Sequence, residues 1–377
     1  MLRRRTLALT ASLALMAGAC GGDDDDGDAA SSDLPAVEAG EAFPDERCEA
    51  NRAAGTISYL SGFDYAAAAS ITEVLVADAA GYYEQLCLDV EITPSFSVAN
   101  YPIVAANEAQ FSSSGSFSEL AQQARANDAD LVTLSVDGHI AVDVLMVKPD
   151  RAGSLAELAG QTIGIKGALP PAIAVMLQQE AGLAEGEDFD TVLLDGFDPF
   201  AHWALDDISA LPGWRSNEPG ALERGGIDFD LYDPGEFDIP GSFGLIYTNR
   251  QFMSTHPSAA EDFMRATMRG LADAIADPDA AAQVAFDLIE ANGNPSFLSA
   301  EGEAYRWSTD AAAIVASTPA DSDIAVPIAA ELEAQLAAYD EVGFYGDDGA
   351  PPIDGRYDES LVASLYTDDG TVIWPGT

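Results

Sequence analysis

The chain has 377 residues, 48% hydrophobic and 21% charged, enough apolar material for two medium-sized domains and too little charge for global disorder. Sixteen basic against 64 acidic residues leave a formal net charge of −48, which argues against nucleic acid or an anionic membrane face as the main partner. Three cysteines exclude a disulfide-rich scaffold and any CxxC-type zinc site.

The first twenty residues (MLRRRTLALTASLALMAGAC) carry Arg3, Arg4 and Arg5, then a short apolar run over 6–18, then small residues before Cys20. That is the grammar of a secretory signal, too short to span a bilayer stably. A Cys at the cleavage point resembles a lipobox, so Cys20 is expected to be lipidated and to become the first mature residue. Residues 21–54 begin with a Gly-, Asp- and Ser-rich stretch that has almost nothing to bury, and read as a flexible acidic tether. In an exported chain Cys48 and Cys87 are candidates for a disulfide. Neither stands beside a His or a helix start, as an activated nucleophile would.

From Gly55 onward β-branched runs alternate with Ala-rich helical stretches, the pattern of an α/β protein with mainly parallel strands. Strands are predicted at 56–60, 88–93, 109–112, 131–136, 142–147, 162–165, 191–194 and 244–248, with a helix over 67–86 between the first two. Ser116 with Glu119 and Ser154 with Glu157 read as capping boxes. Pro257 opens a helix to about 276, and Asp277-Pro278 separates it from another. The stretch from 343 to the end is rich in Gly, Asp and Pro and is expected on the surface.

Four segments then resemble one family in the right order. EVLVADAAGYYEQLCLDVEI resembles its helix, Gly-Tyr-Tyr step and following strand, with Cys87 where Gly is usual. SLAELAGQTIGIKG resembles the entry to the second lobe, DDISALPGWRSNEPGALERGG the Asn-Glu-Pro segment, and MSTHPSAAEDFMRATMRGLADAIADPDAA a helix of the returning first lobe. The family is the SsuA/THI5-like group of substrate-binding proteins, whose members deliver nitrate, alkanesulfonates, taurine, thiamine pyrimidine precursors or riboflavin to ABC importers. The resemblance implies a two-lobe periplasmic-binding-protein fold of type II, with two hinge crossings and ligand in the cleft. Here lobe 1 would be 55–140 and 246–342, lobe 2 would be 141–245, and 343–377 a surface segment.

In such a fold the ligand meets loops at strand ends and helix N-termini. Candidate ligand residues are therefore Phe63, Asp64 and Tyr65; Ser113, Ser114 and Gly115; Lys166 and Gly167; Phe197; and Trp214, Asn217 and Glu218. Phe63, Tyr65 and Trp214 could sandwich a planar ring, the alternative for each being an ordinary core position. Asp64 and Glu218 would favour a donor-rich ligand and penalise an anion. In the family the Asn-Glu-Pro segment is typical of members handling heterocycles, which implies that Asn217 and Glu218 grip ring edges; the alternative for Glu218 is a solvated helix start. Arg215 is the nearest cation and could serve a sulfonate or formyl oxygen instead.

The expected role is an extracytoplasmic, lipid-anchored substrate-binding protein with a permease and an ATPase as partners. It would act as a monomer without a cofactor and would not be an enzyme. A thiamine pyrimidine precursor ranks first as ligand, riboflavin second, nitrate, alkanesulfonate or taurine third. The pyrimidine synthases that share the fold carry a Cys-rich segment unlike anything here, and His139, His202 and His256 form no HExxH or Ser-His-Asp arrangement by spacing. A ligand-sensing lipoprotein remains the other class.

Overall fold

The computed structural model describes residues 34–65, 70–196, 198–292 and 298–376. The expected signal, Cys20, the tether up to residue 33 and Phe197 lie outside them. Among the described residues ten strands form two five-stranded sheets. The first joins β1 (Thr56–Leu60), β2 (Asp89–Thr93), β3 (Phe111–Ser114) and β4 (Leu131–Gly138). The second holds β5 (Asp143–Val147), β6 (Thr162–Ile165), β7 (Asp190–Leu193), β8 (Ala210–Trp214) and β9 (Asp230–Tyr232). A late strand, β10 (Phe243–Asn249), returns to the first sheet, whose order is β2-β1-β3-β10-β4; the second runs β7-β6-β8-β5-β9. The chain therefore crosses between sheets twice, after β4 and before β10. This is the two-lobe α/β architecture of periplasmic binding proteins.

The sheets are mixed rather than mainly parallel. β10 runs antiparallel to both β3 and β4, and β5 antiparallel to both β8 and β9. β10 starts at Phe243, so residues 243–245, expected in the second lobe, belong to the first sheet. β8 went unpredicted because it reads Ala-Leu-Pro-Gly-Trp. Pro212 has no N–H to give a ladder, and the fold accommodates it: β8 registers with β6 only at Ala210, while its length pairs with β5.

The single helix expected over 67–86 is two described helices, Thr72–Ala79 and Tyr82–Gln85. Gly81 interrupts them at φ 69°, a left-handed conformation that glycine adopts freely. Cys87 also lies at positive φ, 60°, which accounts for the Gly usual at that position. Residues 34–54 depart from the tether expectation. Asp45–Ala53 is a helix whose Arg47, Cys48 and Asn51 are buried; Arg47 Nε and Asn51 Nδ2 donate to the buried Asp262 at 2.6 and 2.8 Å. Cys48 is disulfide-bonded to Cys87, 39 residues on, so this helix is stapled to the first lobe. Replacing both cysteines with Ser should lower stability by about 2–4 kcal/mol, read as a drop in denaturant midpoint, because the reduced chain regains loop freedom when unfolded. An unchanged midpoint would mean that ion pairing alone holds the helix.

The C-terminal stretch is also more than a surface wrap. Val362, Leu365 and Val372 are buried in the first lobe's core, and the Trp374 ring lies 5.0 Å from that of Tyr82. Helix Ala329–Glu341 packs on helix Phe117–Ala126 of the first lobe and helix Pro171–Ala181 of the second. Its Gln335 accepts from Ser242 Oγ (2.8 Å) at the second crossing. At the first crossing, His139 Nδ1 comes within 2.7 Å of Glu331 on the same helix, out of line for a hydrogen bond. Burial pushes that imidazole down to about 4. Among the described residues no helix is long and apolar enough to cross a membrane.

Candidate ligand cleft

A cleft of about 640 Å³, open to solvent, lies where the two sheets meet. Val142 and Phe243, one beside each crossing, line it with Gly62, Phe63, Ser70, Ser97, Ser113, Ser114, Gly115, Glu119, Trp214, Gly244 and Asp310. Phe63, Ser113, Ser114, Gly115 and Trp214, all expected at the site, are thus brought together. Ser113 and Ser114 are the last residues of β3 rather than loop, and their hydroxyls are already engaged: Gly62 N–H donates to Ser113 Oγ (2.8 Å), and Ser114 Oγ meets the Tyr101 hydroxyl (2.8 Å). The Phe63 ring meets Phe96 edge to face at 5.6 Å, leaving two exposed aromatic residues at the cleft's first-lobe rim.

The other candidates fall elsewhere. Asp64 is exposed in a left-handed turn (φ 44°), its N–H donating to Ser95 O at 2.7 Å, and Tyr65 lies beside it. Gly167 makes a turn at φ 91°. Glu218 is buried, paired with Lys166, and its Oε2 accepts from Trp214 N–H at 2.8 Å. It closes the turn that presents Trp214 to the cleft instead of facing the cleft. Beside it, burial first and the Glu218 charge second push the Asp143 carboxyl up to about 7, against the pull of Lys166. Asn217 lines a smaller neighbouring pocket between the lobes. Arg215 is committed to Asp233 (Nη2 to Oδ1, 2.6 Å) and to the Ala141 carbonyl at the first crossing (3.2 Å).

Two acids were missed. Ser116 does cap helix Phe117–Ala126, its Oγ accepting from Glu119 N–H at 3.3 Å, but the Glu119 carboxylate turns into the cleft, where Ser97 Oγ donates to it at 3.4 Å. Burial raises its pKa. A cap reading hid it, since sequence sees the spacing and not the rotamer. Asp310, in helix Ala300–Ser317, had no motif to mark it. The second expected box is a short 3-10 turn, in which Ser154 makes no side-chain cap and Glu157 accepts from Gly153 N–H at 3.0 Å.

The lobes touch at two glycines. A Cβ on Gly115 would stand 3.7 Å from the Trp214 ring, and one on Gly220, in helix Glu218–Arg224, would stand 2.1 Å from Tyr305 of helix Ala300–Ser317. The Arg224 guanidinium lies 5.3 Å from the Tyr305 ring centre.

Two lobes with a cleft at their crossings define a periplasmic-binding-protein fold, and solved structures agree. The periplasmic sulfonate-binding protein SsuA of Methylobacillus flagellatus KT superposes with a TM-score of 0.59 at 13% identity, covering 82% of this chain and 93% of its own. The periplasmic nitrate-binding protein NrtA of Synechocystis PCC 6803 gives 0.56 at 13% identity, covering 81% and 86%. The NMT1/THI5-like family profile matches residues 68–281, and the chain belongs to that family. Among curated relatives, riboflavin-binding protein RibY of Chloroflexus aurantiacus is 28% identical over 138 residues, 36% of this chain; the match spans 38% of RibY's length.

Proposed function

We propose that this protein is the extracytoplasmic substrate-binding component of an ABC importer, anchored through lipid on Cys20, and that its cleft captures a small donor-rich heterocycle, first a thiamine pyrimidine precursor. One observation carries the choice of ligand. Glu119 and Asp310 line the cleft, aromatic rings stand at its mouth, and among the described residues no Lys, Arg or His lines it. The nearby cations, Lys166 and Arg215, are already paired with Glu218 and Asp233. An anion placed there would face carboxylates with no compensating cation, whereas ring N–H and amino groups would find acceptors. Ligand that touches both lobes favours the closed arrangement, and the importer reads closure. Riboflavin is the second reading, supported by the partial likeness to RibY and by the same aromatic mouth.

Thermal unfolding of the purified protein tests the ligand. The panel is hydroxymethyl- and formylaminomethyl-aminopyrimidine, thiamine, riboflavin, taurine, an alkanesulfonate and nitrate. A pyrimidine at 100 times its Kd should add about 2.7 kcal/mol of stability. A shift only with nitrate or sulfonate would overturn the reading. Trp214→Ala should weaken the pyrimidine by about 0.5–1.5 kcal/mol beyond the lost contact area if the indole stacks on the ring.

A further inference from the structure

Among the described residues three glycines line the cleft: Gly62, Gly115 and Gly244. Two of them answer to the fold. A Cβ on Gly62 would stand 2.7 Å from Ser113 Oγ and 3.1 Å from the Ser113 carbonyl oxygen. Gly244 combines φ 65° with a Cβ position 2.4 Å from Asp137 Oδ2. Any side chain at either position would displace a neighbour. Gly115 meets neither constraint. Its φ lies outside the left-handed region, and the nearest atoms a Cβ would meet are Glu119 Oε2 at 3.5 Å, Trp214 Cζ2 at 3.7 Å and Cη2 at 4.0 Å. These are ordinary van der Waals distances, so alanine would fit. A glycine here loses chain entropy on folding and gains no packing in return.

The missing methyl leaves a notch one heavy atom wide in the cleft wall. One side is the edge of the Trp214 indole from the second lobe, and the other is the Glu119 carboxyl near the start of helix Phe117–Ala126. Ser97 Oγ donates to Glu119 Oε1 at 3.4 Å, and Oε2 is the oxygen nearest the notch. Burial raises the Glu119 pKa, opposed by the Tyr101 and Ser97 hydroxyls. In either protonation state the carboxyl keeps an acceptor. A ring nitrogen, flanked by ring atoms, is too broad for this gap. An exocyclic –NH2 is a single heavy atom with two donors, and from the Cβ position it need move only a little to reach the usual N–H···O separation of about 2.9 Å.

We infer that the notch between Gly115, Glu119 and Trp214 is the subsite for an exocyclic amino group of the ligand, which donates to Glu119 while its ring stays in the open cleft. Gly115 is thereby a specificity-determining residue: a side chain there would occupy the place of the amino group. This rests on the proposal that the cleft takes a donor-rich heterocycle. It narrows the ligand to ring amines and sets it apart from a flavin, whose ring system carries no exocyclic amino group.

The test fills the notch and, separately, removes the group that occupies it. Four probes are titrated calorimetrically: 4-amino-5-hydroxymethyl-2-methylpyrimidine, its counterpart lacking the 4-amino group, adenine and purine. Within each pair only the amino group changes; between pairs the ring system changes. Wild type should bind the amine at least tenfold more tightly in one pair or both. Gly115→Ala should weaken that amine at least tenfold and leave binding of its amine-free counterpart as it was, because the new methyl stands where the amino group would. Without ligand this variant should melt at or above the wild-type temperature. Glu119→Ala should lose the preference by losing the acceptor. Equal affinities within both pairs in wild type, or a preference retained in either variant, would overturn the subsite. A lowered melting temperature of unliganded Gly115→Ala would show that the glycine serves the fold, and would overturn it too. Binding of both pyrimidines without preference, with none between adenine and purine, would leave the pyrimidine reading standing and remove the subsite. Failure of both pyrimidines with adenine preferred over purine would overturn the pyrimidine reading and leave the subsite standing. Failure of all four probes would overturn both.

Discussion

Replacing Glu73 with Gln is expected to make the protein more stable, and increasingly so as pH rises from about 5 to 8. Burial first, then the nearby Asp310 charge, push the Glu73 carboxyl up to about 8, and burial and Glu73 likewise raise Asp137 well above the carboxylate range. Over that window the unfolded chain ionises Glu73 at its ordinary pKa while the folded chain holds the proton. Each pH unit in that interval then costs the native state on the order of 1 kcal/mol. The loss begins above the unfolded pKa and is complete once pH exceeds the folded one. Gln removes the proton uptake, so the variant should gain roughly 2–4 kcal/mol at pH 8 and little at pH 5. Melting both proteins at pH 5, 6, 7 and 8 decides the matter. The gap between the curves should widen with pH, and parallel curves would show that the folded carboxyl titrates normally. On the acid side the sign reverses: His139 is held neutral down to about 4, so its contribution is lost as pH falls from about 6.5 toward 4.

Gly220→Val should weaken ligand binding at least tenfold, about 1.4 kcal/mol, without touching the cleft. Tyr305 Cε1, Cδ1 and Cζ stand 2.1–2.5 Å from where the new Cβ would be, so the helices that join the lobes at this edge cannot approach as they do with glycine. A ligand that binds the closed arrangement more tightly would pay for separating that contact. Titration and small-angle scattering together check this: the variant should bind weakly and stay expanded at saturating probe, and Tyr305→Ala in the same chain should relieve the clash and recover part of the affinity. Wild-type affinity and compactness in Gly220→Val would remove this contact from closure.

Much of the architecture was legible because it depends on local patterning. β1 and β6 fall where the β-branched runs end, and the break at Asp277-Pro278 is where helix Pro257–Ala276 stops and Pro278–Ala291 starts. What local patterning cannot carry is pairing direction, hence the antiparallel β10, or a central strand written with Pro212 and Gly213. The site divides in the same way. Phe63, Ser113, Ser114, Gly115 and Trp214 were reachable because strand ends and helix starts near them can be read from sequence. Glu218 was misplaced because Lys166, its partner, is 52 residues away. The buried acids were invisible for the converse reason: Glu73, Asp137 and Asp310 sit on three elements, and each alone looks like an ordinary residue of its helix or strand.

The most direct measurement on the central claim is a pair of calorimetric titrations of the purified protein, one with 4-amino-5-hydroxymethyl-2-methylpyrimidine and one with ethanesulfonate. A carboxylate-lined, aromatic cleft predicts saturable one-to-one heat with the pyrimidine and none with the sulfonate. Saturable binding of ethanesulfonate with no response to the pyrimidine would contradict it, and would require a cation in the cleft that Glu218 and Asp233 now hold.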